Sequence, residues 1–264
     1  MEVKTTKLSL FDGMELKEAT FRKQVFPEHF HDAYSVGIIE HGIERLSITG
    51  KDIQAHANSI VIINPYDVHA NSFFDNDSWK YRTMYISTEA MRYVQRQCGW
   101  STKTDIYFPK QLINDTALFQ QLMQFHAPGG NKSTALEKIL HSLIDQYAIS
   151  KPEEEIKKQH SLTDAVHFID TNFSERIIVE DIAGRWGMDK YKFIRAFRRQ
   201  TGLTPNAYLL LQRINKAKQL IACDMPMTDV ALETGFYDQS HFNHYFRKYI
   251  GISPLAYRKG LSVI

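Results

Sequence analysis

Two stretches of this chain follow one pattern, FIRAFRRQTGLTPNAY at residues 193–208 and FNHYFRKYIGISPLAY at residues 242–257. A shorter shared piece precedes each of them, at residues 182–187 and 230–235, and ends in glycine both times. The offset between copies is 48 residues upstream and 49 downstream, so the second copy has one extra residue where a turn is expected. Each copy predicts a short helix, a glycine turn and a second amphipathic helix. A paired helix-turn-helix of this kind indicates a DNA-binding module.

The first copy is predicted to present a cationic face to DNA. Asp189 would cap the helix that follows the turn at Gly187, and Phe193 and Phe197 share the buried face of that helix. The opposite face carries cationic and aromatic side chains, namely Lys190, Tyr191, Lys192, Arg195 and Arg199. Such a face suits the phosphates and base edges of a major groove.

The second copy is predicted to present a different face. Phe242 and Phe246 point inward, while side chains suited to bases and phosphates point outward: Gln239, Ser240, Asn243, His244, Arg247 and Lys248. The helix predicted over residues 206–222 would be roughly 25 Å long and would space the two recognition helices about one DNA turn, ~34 Å, apart. One chain would therefore engage two successive major grooves of double-stranded DNA.

Residues 161–264 resemble the AraC/XylS-type bacterial transcription regulators. The most specific part of the resemblance runs from Ile182 through Gly235-Phe236, Phe242, Phe246-Arg247-Lys248 and Gly251-Ile252-Ser253-Pro254 to Tyr257-Arg258. The resemblance implies that the base-facing positions are Tyr191, Lys192, Arg195, Gln239, Ser240, Asn243 and His244. His244 stands where many of these regulators have arginine.

Composition predicts a globular protein of the cytoplasm. The 264 residues are 43% hydrophobic and 23% charged, no apolar run approaches the ~18–20 residues of a membrane span, and residues 1–7 lack the apolar stretch of a signal peptide. Two cysteines, Cys98 and Cys223, form neither a disulfide framework nor a zinc knuckle. Residues 161–264 carry 14 lysines and arginines against 10 acidic residues, a net charge of +4, and residues 1–160 carry −2. A basic half joined to a slightly acidic one suits a nucleic-acid module with a separate sensor.

The first half predicts a β-barrel followed by helices. Short β-branched runs separated by glycines, such as residues 35–39, 59–63 and 81–86, predict strands up to about residue 87. Helices are then predicted over residues 89–97, 114–125 and 133–149. The wide apolar stripe of the third would pack within its own domain, and part of it would also form a homodimer seam. The chain is thus expected to be an α+β protein of two domains, residues 1–150 and 161–264, joined by a linker at 151–160.

Three histidines mark a candidate ligand site in this barrel, which resembles the cupin-like ligand-binding domain of the same regulators. His29 and His31 share one face of a predicted strand, and His69 follows a turn. They would bind Zn²⁺ or a similar divalent ion, line a metal-free pocket, or serve only the structure. Metal-binding cupins have a glutamate shortly after the paired histidines, and residues 34–36 supply none, so no cofactor is the leading expectation. The predicted pocket comprises His29, His31, Tyr34, His69 and Arg82, with Glu44 near, and suits a sugar or an amino acid, although some regulators of this length bind fatty acids.

These features predict a transcription regulator, and specifically an activator, that works with RNA polymerase on promoter DNA and responds to a small molecule. The alternatives are a metal-dependent cupin enzyme and a regulator controlled by a protein partner. An enzymatic role is disfavoured because the barrel lacks the expected carboxylate and neither Cys98 nor Cys223 has an evident activating base.

Overall fold

The computed structural model describes residues 2–10, 14–74, 78–129, 131–151 and 162–263. The chain divides close to residue 152 into two compact units; residues 260–263 group with the first and residues 26–29 with the second. Because residues 25–29 form an edge strand of a sheet of the first unit, they are described with that sheet. The predicted linker at 151–160 lies outside the described residues except for Lys151. The combination of a β-rich unit and a helical unit confirms the predicted α+β class.

The N-terminal unit is built on two large sheets and one small one. Its strands are β1 (Glu2–Lys7), β2 (Glu15–Arg22), β3 (Val25–His29), β4 (Tyr34–His41), β5 (Ile43–Ile48), β6 (Lys51–His56), β7 (Ile60–Ile63), β8 (His69–Phe73), β9 (Ser78–Ile86), β10 (Ile106–Tyr107), β11 (Leu112–Ile113), β12 (Ile149–Ser150) and β13 (Leu261–Val263). The seven-stranded sheet has the order β11-β7-β4-β9-β2-β1-β13, and the four-stranded sheet has the order β3-β8-β5-β6. Strands β10 and β12 form a separate pair.

Both faces of the seven-stranded sheet are buried. One face packs against the four-stranded sheet, where Ile39 and Val61 join Leu46 and Ile48 in an apolar cluster. The other face packs against three helices, which are α1 (Thr88–Gln97), α2 (Thr116–His126) and α3 (Lys132–Tyr147). Side chains therefore alternate along β4 and β9 between a sheet-facing side and a helix-facing side.

The three helices begin where polar side chains cap them. The side chains of Ser87, Asp115 and Asn131 each accept a hydrogen bond from the backbone of the first turn. The predicted cap at Ser87 is thereby confirmed. Helix α3 ends at Tyr147, two residues before the predicted end, because Ile149 pairs with Tyr107 in the small sheet.

The C-terminal unit is helical. Its helices are α4 (Thr163–Thr171), α5 (Val179–Arg185), α6 (Lys190–Thr201), α7 (Pro205–Ala222), α8 (Met227–Glu233), α9 (Gln239–Ile250) and α10 (Pro254–Gly260). Helices α5–α6 and α8–α9 form the two predicted helix-turn-helix units, and α7 joins them. In the described part of the chain, no helix has both the length and the apolar character that a membrane crossing requires.

Candidate DNA-binding surfaces and ligand site

The first recognition helix, α6, is fixed at both ends. The Asp189 carboxylate accepts hydrogen bonds from the backbone N–H groups of Tyr191 and Lys192, both at 2.9 Å, and these bonds lower the pKa of Asp189. At the other end Gly202 adopts a φ of +77° and closes the helix. The helix therefore starts and stops where the sequence predicts, and its register relative to the buried Phe193 and Phe197 is set.

The outward face of α6 carries the predicted DNA-binding side chains. Tyr191 is 70% exposed, and Lys192, Arg195 and Arg199 are exposed as well. Lys190 differs, because its ammonium forms an ion pair with Glu180 of α5 and each group shifts the pKa of the other toward the charged form. Lys190 thus bridges the two helices of the unit in addition to facing outward.

The second recognition helix, α9, presents a neutral and aromatic face with cations near its end. Gln239, Ser240, His244, Arg247 and Lys248 are exposed and Asn243 is half-buried, while Phe242 and Phe246 are fully buried. The Asp238 side chain caps this helix by accepting from the His241 backbone N–H at 2.7 Å. The two faces are thus unlike, as predicted.

Three side chains in or next to α9 were not predicted as part of this surface: Tyr237, His241 and Tyr245. The rings of His241 and His244 each meet the Tyr245 ring edge-on, with centroids 4.9 and 5.1 Å apart. Tyr237, in the turn before the helix, is 88% exposed. The extra residue in the second copy lies between Gly235 and Phe242, and that insertion was the available signal.

Arg213 of α7 was also not predicted as a functional residue. It supports the second helix-turn-helix unit from the side away from the recognition face. Its buried guanidinium donates to the backbone carbonyls of Phe173 and Glu175 at 2.7 and 2.8 Å, and it lies 5.9 Å from the centre of the Phe236 ring. The available signal in the sequence was an arginine among the apolar residues of the helix that joins the two units. These bonds hold the loop at residues 173–175 against the start of the second recognition unit.

The three predicted histidines of the N-terminal unit come together. One ring nitrogen from each of His29, His31 and His69 lies within 4.8 Å of the other two. Nδ1 of His29 lies 2.8 Å from the Pro27 carbonyl, and Nδ1 of His69 lies 2.9 Å from the Asp67 carbonyl. Because a carbonyl only accepts, both Nδ1 atoms carry a proton, and Nε2 carries a lone pair when the ring is neutral. Burial disfavours the imidazolium form and lowers the pKa of His69 to about 4.

Tyr34 and Arg82, the other predicted pocket residues, are not brought to the histidines. The Tyr34 hydroxyl donates to the Ile106 carbonyl at 2.8 Å, and Arg82 donates to the Glu40 carboxylate. Both belong to the helix-facing side of the seven-stranded sheet, as their alternation with Tyr85 on β9 and Ser35 on β4 requires. Tyr85, on the opposite side, contacts His31, with ring centroids 4.9 Å apart.

A polar cluster lies between the two large sheets, and of its residues only Glu44 was predicted to lie near the ligand site. We call Lys17, Glu44, Asn71 and Tyr81 the inner polar cluster. The Asn71 amide donates to the Glu44 carboxylate at 2.7 Å, and the Lys17 ammonium lies 5.8 Å from the centre of the Tyr81 ring. Burial raises the pKa of Glu44 to about 7 and also raises the pKa of Tyr81, which the Glu44 charge raises further. Glu44 is the one carboxylate in the buried alternation of β5, where it precedes Leu46 and Ile48.

The inner polar cluster is in part accessible to solvent. Lys17, Asn71 and Tyr81 are only half-buried, although Glu44 between them is buried. Phe21 and Trp79 continue the same face but are fully buried, with the Phe21 ring centroid 5.6 Å from that of Trp79 and 6.1 Å from that of Tyr81. The accessible part of this face thus combines a cation, an amide and an aromatic ring beside a buried carboxylate, which are groups that small-molecule sites use.

Comparison with known proteins identifies both domains. The family model described as an AraC-like ligand binding domain matches residues 13–159, and a helix-turn-helix domain model matches residues 182–260. The uncharacterized HTH-type transcriptional regulator YbfI of Bacillus subtilis is 28% identical, over 91% of this chain and 90% of that protein. The HTH-type transcriptional activator RhaS of Klebsiella pneumoniae is 27% identical, over 94% and 92%.

Solved structures share the fold over the whole chain. The structure of ToxT from Vibrio cholerae with a bound unsaturated fatty acid has a TM-score of 0.60 at 14% identity and covers 98% of this chain and 97% of that one. A second ToxT structure has a TM-score of 0.59 and covers 94% and 98%. A β-rich ligand-binding unit and a double helix-turn-helix unit together define a DNA-binding regulator with a ligand-binding domain. The chain belongs to the AraC-type family of helix-turn-helix transcription regulators, which confirms the resemblance seen in its sequence.

Proposed function

We propose that the protein is a transcription activator that binds promoter DNA through both recognition helices and is controlled by a small polar molecule held between the two sheets. The inner polar cluster is the observation that supports control by a small polar molecule. A buried carboxylate that only filled the core would lower stability, since burial penalises its charge. A ligand that donates hydrogen bonds to Glu44 would offset that penalty.

The same cluster indicates the class of ligand. Glu44 and Asn71 supply acceptors and donors, Lys17 supplies a cation, and the half-buried ring of Tyr81 supplies a flat apolar surface. Sugars and amino acids combine hydrogen-bonding groups with a small apolar face and would use all of these groups. A fatty acid, the ligand of the ToxT structure, would leave the Glu44 carboxyl facing a hydrocarbon chain.

Effector binding would act on DNA binding by favouring one of two states of the full chain. In this proposal the regulator works in the cytoplasm as a homodimer, contacts RNA polymerase and catalyses no reaction. The activator role is proposed because the RhaS relatives are named as activators.

Thermal unfolding of the full chain tests the effector site. We expect at least one member of a panel of sugars and amino acids, at about 100 times its Kd, to stabilise the protein by about 2.7 kcal/mol, a rise in Tm of roughly 5–10 °C. Asn71→Ala should remove most of this rise, because it deletes the donor to Glu44. Gln54→Ala, an exposed amide on β6, should leave the rise unchanged. Stabilisation by fatty acids alone, or a rise that Asn71→Ala does not alter, would contradict the proposal.

A further inference from the structure

The three histidines combine features that a purely structural cluster does not need. His29 ends β3, His31 follows two residues later, and His69 begins β8, and one ring nitrogen from each lies within 4.8 Å of the other two. The rings of His31 and His69 have centroids 5.2 Å apart. Metal ions in proteins are commonly bound by histidine, cysteine and acidic side chains. Among the described residues, these histidines are the one group of three or more such side chains that lie close enough to share an ion.

The orientation of the rings is the second observation. In protein metal sites the histidine nitrogen that does not bind the metal commonly donates to a carbonyl or carboxylate, which fixes the ring and its tautomer. His29 and His69 do this in the same way, each through Nδ1 to the carbonyl two residues before it. Two of the three rings are thus held in the tautomer whose Nε2 lone pair is able to bind a metal.

We propose that His29, His31 and His69 bind one divalent transition-metal ion, with Zn²⁺ as the reference ion. Three neutral imidazoles suit zinc, copper, nickel, cobalt and iron, and they do not suit magnesium or calcium, which prefer oxygen ligands. Metal–nitrogen bonds of 2.0–2.1 Å in a tetrahedral site place the nitrogens about 3.3 Å apart. His31 is only half-buried, and a rotation of its side chain on metal binding would supply this contraction.

Three protein ligands leave a fourth position for water or for an oxygen atom of a small molecule. His69 and Asn71 lie two residues apart on β8, opposite Ile48 and Leu46 of β5, and so share one face of the strand. The proposed ion therefore lies on the same face as the inner polar cluster. The metal site itself does not depend on the proposed effector or on DNA binding.

Metal content and calorimetry of the untagged full chain test this inference. After removal of metal with a chelator and addition of Zn²⁺, we expect one equivalent of zinc by elemental analysis and a rise in Tm. His31→Ala should weaken zinc binding at least 100-fold and abolish the rise in Tm. Because His31 is half-buried, this variant should keep its melting transition without metal, which separates loss of the site from loss of the fold.

Two controls exclude other sites. His56→Ala removes an exposed histidine at the end of β6, and Cys98→Ser removes a thiol whose Sγ lies 3.2 Å from Nδ1 of His141. Both variants should bind zinc as the unaltered chain does. Binding of less than a tenth of an equivalent, or equal zinc affinity of His31→Ala and the unaltered chain, would overturn the proposal.

Discussion

Gly235→Ala is expected to destabilise the C-terminal unit by roughly 2–5 kcal/mol, the sum of a left-handed backbone penalty and a steric overlap. Gly235 adopts a φ of +75°, and a Cβ on it would lie 2.4 Å from the Ser174 carbonyl oxygen. That carbonyl cannot move away cheaply, because Arg213 holds the carbonyls on either side of it, those of Phe173 and Glu175. The second helix-turn-helix unit should therefore lose its turn.

The equivalent glycine of the first copy provides the matched comparison. Gly187 also has a positive φ, +63°, but none of the described atoms beyond its chain neighbours lies within 4 Å of the position a Cβ would take. Gly187→Ala should therefore cost only the backbone penalty of about 1–2 kcal/mol. Chemical denaturation followed by circular dichroism measures both variants, and Gly184→Ala, at an unstrained position of helix α5, serves as the control and should raise stability by about 0.5–1 kcal/mol. Equal losses for Gly187→Ala and Gly235→Ala would contradict this account of the second turn.

Glu44→Gln is expected to stabilise the N-terminal unit by about 3 kcal/mol at pH 8 and by little at pH 5. The pKa of Glu44 rises from 4.5 to about 7 on folding because the side chain is buried. Between these two values the folded chain holds a proton that the unfolded chain has released. Stability is therefore lost as the pH rises from 4.5 through 7, and the glutamine variant, which has no such proton, avoids this loss.

The opposite trend of His69 does not obscure this comparison. The pKa of His69 falls from 6.5 to about 4 on folding, so His69 contributes a loss of stability as the pH falls through that window. Both chains carry His69, and its effect cancels in their difference. Urea denaturation at pH 5, 6, 7 and 8 with a chelator present gives the difference, followed by tryptophan fluorescence in chains that carry Trp186→Phe, so that the signal comes from Trp79 and Trp100 of the N-terminal unit. Glu89→Gln removes an exposed carboxylate and should match the unaltered chain. A Glu44→Gln advantage that is constant across this range would show that Glu44 does not titrate as described.

The helix-turn-helix elements could be predicted closely because their signals are local. Helix α6 was predicted from Lys190 to Arg199 and extends to Thr201, since Asp189 and Gly202 mark its ends in the sequence itself. Helix α9 was predicted to end at Lys248 and extends to Ile250 for the same reason, with Gly251 as its stop. Capping and glycine conformation are set by neighbouring residues, so no distant contact needs to be known.

The ligand site could be predicted only in part, because the side of the sheet on which a side chain lies depends on contacts with residues distant in the sequence. His29 and His31 come together as predicted, although β3 ends at His29 and His31 lies beyond the strand. Tyr34 and Arg82 were predicted on the wrong side of the seven-stranded sheet. Both faces of that sheet are buried, so the alternation of side chains along a strand does not show which face packs against the four-stranded sheet. The pairing of β4 with β9, which decides it, joins residues far apart in the sequence.

The most direct test of the central claim is binding of the full chain to DNA upstream of its own gene, measured by fluorescence anisotropy and footprinting at two salt concentrations. We expect salt-sensitive binding that protects two unlike segments about one helical turn apart, and a loss of roughly 10–100-fold in affinity for Arg195→Ala and for Asn243→Ala. Arg96→Ala, an exposed arginine of α1, should bind as the unaltered chain does. Equal affinity for unrelated DNA of the same length, or no loss in either variant, would contradict the claim that the two unlike faces read one asymmetric site.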